Sequence, residues 1–76
     1  MSKAVKVDKN YVEKVVKEDL NRKYPDITEL EFEAVLSFMQ YKVWVAVGTL
    51  TLRGVRKTFM YLIDSETGEI LGYVIR

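Results

Sequence analysis

The chain of 76 residues carries a net charge of +1 and a hydrophobic fraction of 49%, with no cysteine and no histidine. Those two absences remove disulfides, thiolate chemistry and the commonest metal ligand, and the near-zero net charge argues against bulk nucleic acid as a partner. One domain of this size has a modest core, and its apolar content exceeds what one helix and one sheet hide, which predicts oligomerisation.

Residues 1–8 read as a tail, or as a short edge strand containing Val5 and Val7. Over residues 9–24 the pattern turns helical: Val12, Val15, Val16, Leu20 and Tyr24 recur at three- and four-residue spacing, with Glu13, Lys14, Lys17, Glu18, Asn21 and Arg22 on the other side. Asn10 and Glu13 have the spacing of a capping box, Asp8 is a rival N-cap, and Pro25 stops the helix.

Residues 28–38 alternate, placing Leu30, Phe32, Ala34, Leu36 and Phe38 on one side and Glu29, Glu31, Glu33 and Val35 on the other. A helix capped by Thr28 and Glu31 is the rival, but it would set Glu31 opposite Glu29 and Glu33 and break the apolar stripe. The next turn lacks Gly, Pro, Asn and Asp, so residues 41–52 begin a second strand at a loosely defined point. Its apolar parity shifts from Val43, Val45 and Val47 to Leu50 and Leu52, which predicts a β-bulge at Gly48. Arg53-Gly54 is a turn, residues 55–63 a third strand and residues 70–76 a fourth.

The hairpin joining the last two is the clearest local signal. Asp64 can accept from the backbone N–H groups after it, and Gly68 can take positive φ to return the chain. If Asp64 and Glu69 share a face, Leu62 faces Leu71, Met60 faces Tyr73 and Thr58 faces Ile75, while Ile63, Tyr61 and Phe59 face Ile70, Gly72 and Val74. The predicted fold is therefore α+β, a single domain over 1–76 in which one N-terminal amphipathic helix packs on a curved four-stranded antiparallel meander, α-β-β-β-β and cystatin-like. Both faces of the sheet are apolar and one helix covers one of them, so the other predicts self-association as a homodimer. Trp44, Met60, Leu62, Leu71 and Tyr73 are the candidate interface.

Other constellations carry less. The carboxylates of Glu29, Glu31 and Glu33 repeat at ~6.8 Å along a strand, too far apart for joint ligation, and read as a solvated face. Arg53, Arg56 and Lys57 form a candidate basic patch which, with nearby aromatics, would suit weak binding of single-stranded nucleic acid. Residues 42–57 hold four basic and no acidic residues, and residues 24–41 four acidic and no basic, so charge pairing between those segments or with a neighbouring subunit is an equally good use. Ser37 and Ser65 have no histidine to activate them. No catalytic residue, cofactor or metal site is predicted, and the chain reads as non-enzymatic. The lysine-bearing start has no apolar stretch of signal-peptide length and no run reaches membrane-span length, which predicts a cytoplasmic protein. Frequent Lys, Glu and Arg with scarce Asn and Gln resembles thermophile usage.

The succession of helix, Tyr24-Pro25-Asp26, alternating strands and a final Tyr61-Leu62-Ile63-Asp64-Ser65-Glu66-Thr67-Gly68-Glu69-Ile70-Leu71 resembles the PepSY family. Small PepSY domains close a cystatin-like unit with an aromatic-x-apolar-Asp-x-x-Thr-Gly-Glu-apolar signature. The resemblance covers residues 11–75 in layout and 61–71 in motif. It implies a non-catalytic module that binds or inhibits peptidases.

Overall fold

The computed structural model describes residues 6–76. An α-helix, α1 (Lys9–Lys23), precedes four strands, β1 (Ile27–Phe38), β2 (Val43–Leu52), β3 (Val55–Asp64) and β4 (Ile70–Ile75). The strands form one antiparallel sheet in the order β1-β2-β3-β4. The α+β meander expected from the periodicities is thus present, with each element within two residues of its predicted bounds. Of the tail or short edge strand expected over residues 1–8, residues 1–5 lie outside the described residues, and residues 6–8 are in coil, with Val7 packed against the core.

Asp8, rather than Asn10, caps α1: its carboxylate accepts from the Tyr11 N–H at 2.9 Å. Tyr24 ends the helix by donating its N–H to the Leu20 carbonyl, and Pro25 prevents continuation. Arg22 and Lys23 occupy the last turn, where cations offset the helix dipole. Val12, Val16 and Leu20 are buried against Ala46 and Leu50 of β2 and Phe59, Tyr61 and Ile63 of β3. Phe32 meets Phe59 edge to face, with ring centroids 5.6 Å apart.

Three features of the sheet differ from the sequence expectation. First, β2 pairs with β3 without interruption from Val43–Asp64 to Leu52–Val55, so Gly48 carries no bulge. Its role is close approach: a Cβ there would lie 2.1 Å from the Glu31 carbonyl oxygen and 2.5 Å from Phe59 Cζ. The register shifts are in β1, between Thr28 and Glu31 and between Phe32 and Ala34. Second, β4 carries a shift as well. Ile63 pairs with Ile70 as expected, but the next pairs are Leu62–Gly72, Tyr61–Tyr73, Met60–Val74 and Phe59–Ile75, because Leu71 is an extra residue beside the turn. Third, the β1–β2 connection is a 3₁₀ turn, Met39–Tyr41, closed by Lys42 at φ 55°. A lysine in the left-handed region has no turn signature in the sequence, which explains the uncertain boundary.

The two remaining turns are as predicted in kind. Arg53 and Gly54 both have positive φ, as a two-residue turn of type I′ needs. In the last hairpin the Asp64 carboxylate accepts from the N–H groups of Glu66 and Thr67 at 2.7 and 2.9 Å, and those two bonds hold its pKa below the usual carboxylate value. Gly68, at φ 79°, is buried under the Tyr11 ring, which ties this turn to the start of α1. Gly68→Ala adds left-handed strain and must displace a ring whose Cε1 lies 2.6 Å from the new Cβ. The variant is expected to lose about 2 kcal/mol in urea unfolding; an unchanged midpoint would contradict the docking of the turn on α1.

Candidate functional site

The helix occupies one face of the sheet. On the other face, strand pairing lines up side chains in rows across the strands, since paired residues project to the same side. Leu36, Val45, Leu62 and Gly72 form one row, and Ala34, Val47, Met60 and Val74 the next. Phe38 and Val43 extend the apolar area toward the 3₁₀ turn. Toward the opposite end the rows become polar: Glu31, Thr49 and Thr58, with Arg76 paired to Thr58 through two backbone hydrogen bonds, then Thr51 and Arg56. The exposed large side chains of the apolar half, Leu36, Phe38, Met60, Leu62 and Val74, are 39% to 53% accessible, so α1 shields none of them.

Of the candidate interface residues, Met60 and Leu62 lie on this outer face. Trp44 and Tyr73 do not. Trp44 pairs with Ile63 and packs against the core, while Tyr73 pairs with Tyr61 and stacks on its ring at 5.3 Å and 18°. Leu71 is exposed at the bulge. Trp44 is in phase with the buried Ala46 and Leu50 of β2, and Tyr73 is turned inward because one inserted residue moves every later side chain of β4 to the other face. The same effect in β1 leaves Phe32 on the helix side and turns Ala34, Leu36 and Phe38 outward. Val35, an apolar residue in phase with the glutamates, was the signal: it pairs with Ala46 and faces the core.

The basic patch is divided and paired. Arg53 bonds Asp26 at 3.2 Å, and Arg56 donates to Thr49 Oγ1 at 3.0 Å while lying 3.7 Å from Glu31. Lys57 pairs with Leu50 on the inner side, so it does not share a face with Arg56. Charge pairing between residues 24–41 and 42–57 is therefore realised within the chain. Glu29 accepts from the Thr51 hydroxyl at 2.7 Å, and among the described residues no group of three or more Asp or Glu is placed to hold a metal ion.

One polar constellation went unread in the sequence. Asp19, on the buried side of α1, is 4% exposed and accepts from the Tyr61 hydroxyl at 2.6 Å and from Arg22 and Lys23. The Lys23 ammonium also lies 3.9 Å from the centroid of the Tyr73 ring. Burial pushes the Asp19 carboxyl up, but the bonds from Lys23 and Tyr61 and the charges of Lys23 and Arg22 prevail and hold it below the ordinary value. Burial and the same carboxylate push the Tyr61 phenol well above its usual value. A shallow depression of about 340 Å³ opens beside the cluster, lined by Val15, Glu18, Asp19, Arg22 and Ile70. Among the described residues no buried side-chain nitrogen or oxygen lacks a partner. Asp19 is thus a clamp between helix and sheet; its oxygens are already engaged by three donors. Spacing alone offered the pairs Asp19–Arg22 and Asp19–Lys23, which fit a solvated helix face equally well.

No family model, curated protein or solved structure matches this chain. The functional reading rests on the surfaces themselves. Among the described residues no helix is long and apolar enough to cross a membrane.

Proposed function

We propose that this protein is a non-catalytic interaction module that self-associates as a homodimer through the outer face of its sheet. The observation that carries the reading is the exposed apolar half of that face, formed by two full rows across the sheet and extended by Phe38 and Val43. Soluble domains rarely leave a contiguous apolar surface of this kind open unless it meets a partner. Burial is worth about 25 cal/mol per Å², so even ~600 Å² would supply ~15 kcal/mol before association costs are subtracted. A chain without cysteine fits the reducing cytoplasm. The paired arginines weigh against nucleic acid as the partner, since Arg53 and Arg56 already face carboxylates.

Light scattering over a dilution series tests the reading: twice the chain mass is expected. Met60→Lys places an ammonium at the centre of the apolar rows while leaving a residue that is exposed in the single chain. It is expected to raise the dissociation constant at least ~100-fold at an unchanged melting temperature of the dissociated chain. A parent that is monomeric at all concentrations, or a Met60→Lys dimer as tight as the parent, would sink it.

A further inference from the structure

We infer that the free edge of β4 takes up an extended segment of a partner protein as a fifth, antiparallel strand, with an acidic side chain opposite Tyr73. This contact uses the edge of the sheet and is independent of self-association through the outer face. A sheet edge offers a row of backbone groups that a further strand can satisfy, and proteins protect such edges with bulges, charges or proline. The two edges of this sheet differ in that respect. The ladder of β1 is broken by two register shifts, Glu29 stands at φ 52° within the strand, and Glu29, Glu31 and Glu33 lie along it. Beyond Leu71, β4 has no such protection: Gly72, Tyr73, Val74 and Ile75 pair with β3 one by one, with no charge and no proline among them.

The phase of the ladder fixes which groups are free. Arg76 and Thr58 exchange both backbone hydrogen bonds, at 2.8 and 2.9 Å, so Val74 and Gly72 bond to β3 in the same way, and the N–H and C=O groups of Tyr73 and Ile75 are directed away from the sheet. The side chains of those two residues lie on the helix side, where α1 leaves room. Tyr73 is 44% exposed, and the depression lined by Val15, Glu18, Asp19, Arg22 and Ile70 opens between α1 and the start of this strand. Alternate side chains of an added strand would enter that space, and the others would continue the outer face. Charge decides between occupants. Lys23 and Arg22 share one carboxylate, that of Asp19, which leaves an excess of positive charge beside Tyr73; the Lys23 ammonium lies 3.9 Å from its ring centroid, and the Arg22 side chain is 74% exposed. Glu18 precedes Lys23 by more than a turn of α1. A second copy paired edge to edge through Tyr73 would set its own Lys23 and Arg22 across the seam, like charge against like. A carboxylate opposite Tyr73 would neutralise the excess and accept from both cations.

The probe is the acetylated and amidated peptide Thr-Val-Thr-Glu-Thr-Val-Thr, titrated to millimolar concentration into the isotope-labelled full chain and followed by NMR. The Tyr73 and Ile75 amides are expected to shift, and their hydrogen exchange to slow about tenfold or more at saturation. N-methylation of the glutamate, whose N–H would bond the Tyr73 carbonyl, is expected to abolish binding. N-methylation of the threonine after it, whose N–H points away from β4, is expected to leave binding intact. Lysine in place of the glutamate is expected to weaken binding about tenfold. Changes centred on β1 or on the outer face, equal binding of the two methylated peptides, or no saturable change at millimolar peptide overturns the inference. A lysine peptide as tight as the glutamate peptide overturns the acidic preference. Tyr73 and Ile75 amides that are protected in the free chain and released on dilution would show a second copy on the β4 edge, and that result overturns the inference as well.

Discussion

Asp19→Ala is expected to cost about 3 kcal/mol, lowering the melting temperature by roughly 15 °C in a domain of this size. The alanine removes the acceptor of the Tyr61 hydroxyl, which sits on a fully buried ring, and strips Lys23 and Arg22 of their anion. Tyr61→Phe is expected to cost less, about 1 kcal/mol, because Asp19 keeps its two cations and no buried donor is left unpaired. The pH profile separates this clamp from simple packing. The Asp19 carboxyl is depressed in the folded chain, so the unfolded chain takes up the proton first. Its contribution is complete above the unfolded value of ~3.9 and is lost as pH falls through the folded one. Tyr61 is raised, so its contribution is complete below ~10 and declines as pH rises further. Parent stability should therefore be flat between about pH 5 and 9 and fall on both sides. Asp19→Ala should flatten the acid branch down to the share of Asp64 and reduce the alkaline branch in part, since burial, the largest cause of the Tyr61 shift, remains. Urea unfolding from pH 2 to 11 measures this, and an Asp19→Ala profile parallel to that of the parent would disprove the clamp.

Gly48→Ala is expected to cost about 3 kcal/mol or more, a large share of the stability of the domain. The added methyl would fall 2.1 Å from the Glu31 carbonyl oxygen, which belongs to the backbone of β1 between its two register shifts. A side chain could rotate away, but that carbonyl can retreat only if β1 moves off β2. The Phe59 ring, also within 3 Å, is fully buried and held edge to face by Phe32. Overpacking of a tight core typically costs 1–3 kcal/mol, and a contact with fixed backbone lies at or beyond the top of that range. A domain of this length has a total of only ~5–10 kcal/mol. Circular dichroism with urea unfolding would show a midpoint shifted to much lower urea. A variant as stable as the parent would mean that β1 does not close over Gly48 and Phe59 in solution.

Both positions show how far a sequence reading reaches. Gly48 was legible as a special position but for the wrong reason: the change in apolar parity along β2 suggested a bulge, whereas both faces of β2 are apolar and its pairing with β3 is regular. Asp19 was not legible, because a carboxylate three and four residues before an arginine and a lysine is the commonplace pattern of an exposed helix face. What distinguishes it is the Tyr61 hydroxyl 42 residues away. Met60 and Leu62 share one face, as alternation in β3 predicts, because its pairing with β2 is uninterrupted; Tyr73 falls on the opposite face because Leu71 is inserted before it.

Local chemistry in the sequence determined the number, kind and order of the elements. Helical spacing from Val12 to Leu20, the stop at Pro25, the positive-φ positions at Gly54 and Gly68 and the Asp64 turn each act within a few residues. Tertiary structure decided which side chains share a face. The bulges between Thr28 and Glu31, at Glu33 and at Leu71 depend on what lies across the neighbouring strand, and each reverses the parity of everything after it. The outer face, with Ala34 and Gly72 at opposite edges and Glu31 and Arg76 beyond them, is a product of those three insertions.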